Sequence, residues 1–384
     1  MLCALLVAAF ALLAYTVSVT QDEDGLEEFY ATPEHIQPGD PGQLIKVQTL
    51  EPGDIQGSLF RIMYHSRSVD DEDIAVTGSL AVPNTPAPIG GRPVVTLGHP
   101  TVGNADECAP SRDPATSSAV INRFLAAGWI VATSDYEGLG TPGVPPYLVG
   151  ESEGRSMVDI VRAARTIPAL SAGTTFAAWG HSQGGHAALF ARKVAATWAP
   201  ELRMVGAVAV APVANASEFV SRANFAGPGI TLMTVAGYSA AYGLDADEVL
   251  TDDGMDHLED TETKCLADLG DELGDRELSD VRRADPSTLS DWGAALTRND
   301  AGPIRSNVAV LLLQGENDAI VPPGDTEGLF EQMCSTAQPV TMEIDDGGGH
   351  ASVRDRTIDE AVGWLTDRFA LSPAPTNCRR QPHE

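Results

Sequence analysis

Short apolar runs rich in β-branched residues punctuate the chain, and each has the length of a strand. They lie at Leu59 to Tyr64, Ile74 to Val82, Val94 to Leu97, Trp129 to Ser134, Thr174 to Trp179, Met204 to Val210, Val308 to Leu313 and Val340 to Ile344. Between the later runs lie helical patterns. Met157, Ile160, Val161 and Ala164 stand at spacings of three, four and seven and would bury one face. Ser117 to Ala127 is another helix, stopped by Gly128. Ala187 to Ala196 and Ile358 to Phe369 complete the set.

Strands alternating with helices predict an α/β fold with a mostly parallel sheet covered on both faces. The alternation breaks once. From residue 214 to 303 there is no clear strand pattern: Phe225 to Leu244 is apolar and rich in Gly and Ala, and Asp245 to Asp300 is acidic and helix-like. The expected organisation is a core made of residues 21–213 and 304–378, a helical cap inserted at 214–303, and a tail at 379–384. Such sheets place their sites at the C-terminal ends of strands, where a cap would cover them.

Composition narrows the class. Hydrophobic residues are 43% and charged residues 20% of 384, as in a globular protein with a sizeable core. The formal charge of −30 argues against nucleic acid or anionic headgroups as partners. Leu2 to Val17 is apolar, and no charge precedes Asp22. The run is short for a membrane span and reads as a signal peptide at 1–20, so a secreted protein is expected, with an uncleaved anchor as the alternative. Cys3 falls in that leader. Cys108, Cys265, Cys334 and Cys378 remain, enough for two disulfides in an oxidising compartment, with three possible pairings. No Cys-x-x-Cys spacing occurs, so no zinc site is expected.

The candidate chemistry centres on Trp179-Gly180-His181-Ser182-Gln183-Gly184-Gly185. A Gly-x-Ser-x-Gly pentapeptide alone is a weak signal. Here an apolar strand runs into it and a helix pattern leaves it, the context a nucleophile elbow requires. A serine hydroxyl needs a base to take its proton. In this strand–turn–helix arrangement the partners follow in the order acid, then His. Of eight histidines, His35, His65 and His99 come too early, His257 lies in the insertion and His383 in the tail. His181 and His186 flank the serine and are expected to point elsewhere. His350 remains, in a glycine-rich loop, Gly347-Gly348-Gly349-His350. Asp318, after the strand at 308–313, is the expected acid, with Glu316 and Asp325 as competitors and Asp345 and Asp346 read as solvated loop acids. The oxyanion donors should be the backbone N–H of Gln183 and one from Gly98-His99-Pro100-Thr101-Val102-Gly103. Thr101 comes first and Val102 next, because Pro100 has no N–H.

These residues, in this order, resemble the secretory lipase family. Ala105-Asp106-Glu107-Cys108-Ala109-Pro110-Ser111 looks like its segment after the oxyanion loop. The run Asp135-Tyr136-Glu137-Gly138-Leu139-Gly140, followed by Pro146-Tyr147-Leu148, is the most specific signature. Gly154 to Arg165 looks like its next helix, and the likeness runs from about Gly57 to Cys378. It implies an α/β-hydrolase core, a helical cap with a narrow acyl tunnel, no metal and no cofactor. It also implies disulfides Cys108–Cys265 and Cys334–Cys378, and a shaping role for Asp135 and Tyr136 beside the site. His181 departs from the pattern, since a fungal member has Tyr there.

The expected activity is hydrolysis of acylglycerols or other carboxylic esters through a Ser182–His350–Asp318 triad. An acyltransferase or a short-chain esterase would use the same groups. Ile230, Met233, Val235, Tyr238 and Tyr242 are candidates to line an acyl site, against the simpler alternative of a packed cap helix. A monomer that meets a lipid–water interface transiently is expected.

Overall fold

Nine strands form one sheet in the computed structural model, which describes residues 23–32, 36–222, 227–302, 304 and 306–378. The expected leader at 1–20 and tail at 379–384 lie outside these residues. The strands are β1 (Leu44–Leu50), β2 (Gly57–Arg67), β3 (Asp73–Pro83), β4 (Arg92–Gly98), β5 (Ile130–Glu137), β6 (Ala172–His181), β7 (Arg203–Val210), β8 (Ala309–Gly315) and β9 (Val340–Asp345). Their order is β1-β2-β3-β5-β4-β6-β7-β8-β9. Pairing is antiparallel from β1 through β3 to β5, and parallel from β5 onward.

Eight of the strands follow the apolar runs. The unexpected one, β1, is an edge strand with few buried positions, one of them polar: the Gln48 carboxamide oxygen accepts from Arg61 at 2.6 Å. At the opposite edge the Asn377 side chain pairs with the backbone N and O of Met342 at 3.1 and 2.7 Å. It thereby occupies edge groups that another strand would otherwise seek.

Alternate strand residues face opposite layers. Phe176 and Ala178 of β6 pack beneath α3 (Gly150–Thr166) and α4 (Gln183–Trp198). Ala177 and Trp179 pack on the other face with α2 (Ser118–Ala126) and α13 (Ile358–Phe369). Three more helices complete the core: α1 (Glu23–Tyr30), α11 (Pro323–Ser335) and α12 (His350–Arg356).

Between β7 and β8 the described residues form only helices, turns and isolated bridges. The helices are α5 (Ala216–Ser221), α6 (Gly227–Tyr242), α7 (Asp252–Asp256), α8 (Leu266–Leu273), α9 (Leu278–Val281) and α10 (Ser290–Arg298). This insertion has its own apolar core, in which α6 packs against Leu269, Val281 and Trp292. It rests on loops that leave the C-terminal ends of β4 and β5. Leu266 N donates to the Val102 carbonyl at 2.9 Å, and Tyr238 OH to the Leu148 carbonyl at 3.1 Å. A disulfide, Cys108–Cys265, fastens the insertion to the loop after β4, and Cys334–Cys378 ties the chain's end to α11. Both pairings are those the resemblance implies.

Candidate active site

Ser182 sits where β6 turns into α4, at φ 58° and ψ −119°. That is left-handed territory for a residue with a Cβ, a conformation costing about 1–3 kcal/mol and held only by strong surroundings. Here the surroundings are backbone. Ser182 N donates to the Val210 carbonyl at 2.9 Å, and its own carbonyl accepts from His186 N at 3.1 Å. A Cβ on Gly184 would fall 2.0 Å from the Gly98 oxygen, and one on Gly180 would fall 1.9 Å from the Gly184 oxygen. The ends of β4 and β6 therefore meet the first turn of α4 with no side chain between them. This contact brings the loop after Gly98 beside the helix start.

The sequence-predicted partners converge on Ser182. His350 Nε2 lies 3.0 Å from Ser182 Oγ, and His350 Nδ1 lies 2.7 Å from Asp318 Oδ2. Asp318 Oδ1 accepts from the Ile320 and Val321 N–H groups, both at 2.9 Å. Gln314 Nε2 reaches Oδ2 at 3.3 Å. Burial alone would raise the Asp318 carboxyl, but the His350 hydrogen bond and charge and the two backbone donors outweigh it, leaving it below the ordinary carboxylate range. The competing acids are occupied elsewhere. Glu316 accepts from Gly347 N at 3.1 Å, Asp325 pairs with Arg222 at 2.5 Å, and Asp345 pairs with Arg356 at 2.5 Å.

Two expectations need correction. His350 does not lie in a loop: it is the first residue of α12, whose start is held by Gly349 N donating to Ser352 Oγ at 3.0 Å. A helix turn fixes the imidazole more firmly than three glycines would. His181 does not point elsewhere either. Its Nε2 lies 2.8 Å from the His350 carbonyl, and its ring packs on the His350 ring with centroids 4.7 Å apart. Burial, then the nearness of His350, lowers the His181 imidazole to about 4. The hydrogen bond therefore uses the neutral ring with its proton on Nε2. Alternation puts His181 on the face of Ala177 and Trp179, which α12 and α13 cover, but it does not show that His350 opens α12 there.

The first turn of α4 meets the base of the predicted oxyanion loop, where a Cβ on Gly184 would fall 2.8 Å from the His99 carbonyl. Gln183 opens α4, so its N–H has no acceptor within the helix. In the facing loop, Thr101 Oγ1 and Tyr147 OH share a 2.8 Å hydrogen bond. Val102 gives its carbonyl to Leu266 of the insertion. The base of the loop is fixed by His99, which is stacked on Tyr136 at 4.3 Å, with Nδ1 2.7 Å from the Pro100 carbonyl. Tyr136 is itself buried and in the left-handed region, at φ 69°. The Asp135 carboxylate is bound by Ser111 and by Thr77 at 2.7 Å, and its backbone carbonyl lies 3.3 Å from His99 Nε2.

Most of the candidate acyl residues are core. Ile230, Met233, Val235 and Tyr238 are buried in a cluster that the insertion shares with Tyr147 to Val149 of the core. The composition of α6, apolar on most of its circumference, accounts for burial on more than one side. Tyr242 is half-buried and accepts from Asn299 Nδ2 at 3.0 Å. Sequence reasoning also missed a polar cluster beside Gln183. Glu153 binds His186 Nδ1 at 2.7 Å and Gln183 Nε2 at 2.9 Å. Its only sequence signal is a carboxylate on the apolar face of α3. Among the described residues, His257, Asp260 and Glu272 have metal-ligand proximity, but the Lys264 ammonium sits among them, 2.5 Å from Asp260 and 3.7 Å from Glu272.

Comparison with known proteins agrees with this architecture. The family model of the secretory lipases matches residues 115–377. The chain is 25% identical over 378 residues to a probable inactive lipase of Mycobacterium tuberculosis, covering 90% of this chain and 82% of that one. It is 25% identical over 406 residues to a secreted triacylglycerol lipase of Malassezia globosa, covering 96% and 86%. Among solved structures, Candida antarctica lipase A superposes with a TM-score of 0.77 at 19% identity, over 91% of this chain and 87% of that one. The rice cell wall degrading esterase LipA from Xanthomonas oryzae gives 0.71 at 19% identity, over 87% and 99%. These two structures share the α/β-hydrolase fold with this chain.

Proposed function

The chain belongs to the secretory lipase family, and from that premise we propose that it is a secreted lipase or carboxylesterase with Ser182 as nucleophile. The observation that carries the proposal is the relay Ser182 Oγ–His350–Asp318, at 3.0 and 2.7 Å, on a strained turn. His350 Nε2 takes the hydroxyl proton as Oγ bonds to the ester carbonyl carbon. Electrons move to the carbonyl oxygen, and the N–H groups of Gln183 and Thr101 receive that charge, with Val102 as the alternative donor. The C–O bond to the alcohol breaks, and the alcohol leaves with the proton from His350. Water then gives a proton to His350 and attacks the acyl-enzyme; Ser182 recovers the proton as the acid departs. Asp318 holds the imidazole tautomer and balances the imidazolium.

The proposed substrates are acylglycerols or other carboxylic esters with medium or long acyl chains. The insertion at 214–303 serves as the cap over the site, and the enzyme acts as an exported monomer at a lipid–water interface. The two disulfides support export, and no helix among the described residues is long and apolar enough to cross a membrane. The Mycobacterium tuberculosis relative raises a second reading, a member of the family without activity. The complete relay favours catalysis here.

The test is hydrolysis of p-nitrophenyl esters from acetate to palmitate by wild type and Ser182→Ala. Turnover that peaks at medium or long chains and falls by about 10⁴-fold or more in the variant is the expected result. A maximum at acetate would reassign the enzyme as a short-chain esterase. Full activity in Ser182→Ala would overturn the nucleophile, and no turnover by wild type would favour the inactive reading. Ester formation with an added alcohol would reveal an acyltransferase.

A further inference from the structure

Glu153 has no part in the proposed proton transfers, yet it ends beside the oxyanion donor. It projects from α3 and is 1% exposed. Its Oε1 accepts from Gln183 Nε2 at 2.9 Å and from Leu148 N at 3.2 Å, and its Oε2 meets His186 Nδ1 at 2.7 Å. His186, also fully buried, places Nε2 2.8 Å from the Asn299 carbonyl. Both ring nitrogens thus face oxygen atoms, one of a carboxylate and one of a backbone carbonyl.

Asn299 extends the network into the insertion. Its side-chain oxygen accepts from Gly150 N at 2.9 Å, and its Nδ2 donates to Tyr242 OH and to the Ala295 carbonyl, each at 3.0 Å. Tyr242 ends α6, and Asn299 follows α10. One carboxylate therefore joins α3, the first turn of α4 and two helices of the insertion.

Holding α3 against α4 does not require this pair. The helices already touch at Gly154, where a Cβ would fall 2.7 Å from the Phe190 carbonyl carbon. Burying a charged pair is costly, and apolar side chains would pack the same space at least as well. What an apolar pair would not do is hold the Gln183 side chain, which shares a Cα with the proposed oxyanion donor. We propose that Glu153 is a positioning residue for the oxyanion hole. With His186 it aims the Gln183 N–H, and through Asn299 and Tyr242 it makes that aim depend on the seating of the insertion.

This inference rests on the acyl-transfer reading above. Its test compares an ester with the matching thionoester, in which sulfur replaces the carbonyl oxygen. Donors aimed for an oxyanion discriminate against the larger, weaker-accepting sulfur, so the ratio of the two kcat values reports donor aim and not the amount of folded enzyme. Gln183→Met keeps the backbone N–H and removes only the anchor. It should lower ester kcat about tenfold to a hundredfold, less than deleting a donor outright. KM should stay within about twofold, and the ester-to-thionoester ratio should fall at least about fivefold. Glu153→Ala should lower the ratio likewise; if it fails to fold, Gln183→Met alone decides. A folded Gln183→Met enzyme whose ratio is unchanged, whatever its kcat, would overturn the proposal. Its failure is distinct from failure of the acyl-transfer reading, which Ser182→Ala and stoichiometric labelling of wild type by a serine-reactive phosphonate decide separately.

Discussion

Two histidine–carboxylate pairs stand on either side of Ser182 at the same 2.7 Å separation, His350 with Asp318 and His186 with Glu153. Their chemistry differs because of the third partner. His350 turns its free nitrogen to a hydroxyl, which can surrender a proton, and its side chain is 17% exposed. His186 turns its free nitrogen to a carbonyl, which has no proton to give, and its side chain is 0% exposed. One far nitrogen thus meets a group that has a proton to give, and the other meets a group that has none. A His–carboxylate distance by itself therefore does not identify a general base; the group at the far nitrogen does.

Breaking the first pair should produce the largest effect. Asp318→Asn keeps the shape but stabilises the wrong imidazole tautomer, so kcat should fall about 10⁴-fold. Glu153→Ala, the matching cut in the second pair, should cost no more than about a hundredfold, since base and nucleophile remain. Single-turnover rates on one soluble ester would compare the two, and equal losses would erase the distinction.

His181→Phe sharpens the contrast more gently. The variant loses the hydrogen bond to the His350 carbonyl, and about a tenfold drop in kcat near pH 7 is expected, on the scale of a misplaced catalytic group. Its stability should show a definite sign. Folded His181 titrates at about 4, below the ordinary value near 6.5. Between these values the unfolded chain takes up a proton that the folded one refuses, so wild type loses stability as pH falls from about 6.5 towards 4, by about 3 kcal/mol in all. The phenylalanine variant should lack this increment when Tm is compared at pH 7 and 4.5.

The smallest effect is expected at Glu360, which touches none of Ser182, His350 or Asp318. Burial, then the nearby Glu343, raises Glu360 on α13 to about 7. Its folded form holds a proton that the unfolded chain releases near the usual 4.3. Its contribution is complete at low pH and is lost as pH rises through about 7. Glu360→Gln should therefore gain a little in Tm at pH 8 and nothing at pH 4.

The sequence disclosed the core more readily than the insertion. Strands such as Val94 to Leu97 are continuously apolar because both faces are covered, and such runs stand out. Ser182, Asp318 and His350 were legible because each follows a strand in a fixed order. The first turn of α12 was hidden behind three glycines, whose composition suggests a loop. His181 and Glu153 were hidden for another reason: their partners are 169 and 30 positions away, at His350 and Gln183. No local period encodes such contacts. In the insertion, α6 offered no polar face from which to tell an acyl wall from a packed helix.

The Cys108–Cys265 bond has a consequence for how the molecule withstands proteolysis. It closes a span of 157 residues that includes the start of the acidic stretch, up to Cys265. A protease that severed one peptide bond anywhere between those cysteines would still leave a single covalent molecule, with the loop after β4 tethered to α8. The two pieces would separate only after reduction. A chain built this way can be nicked and still keep its insertion bound to the loop after β4.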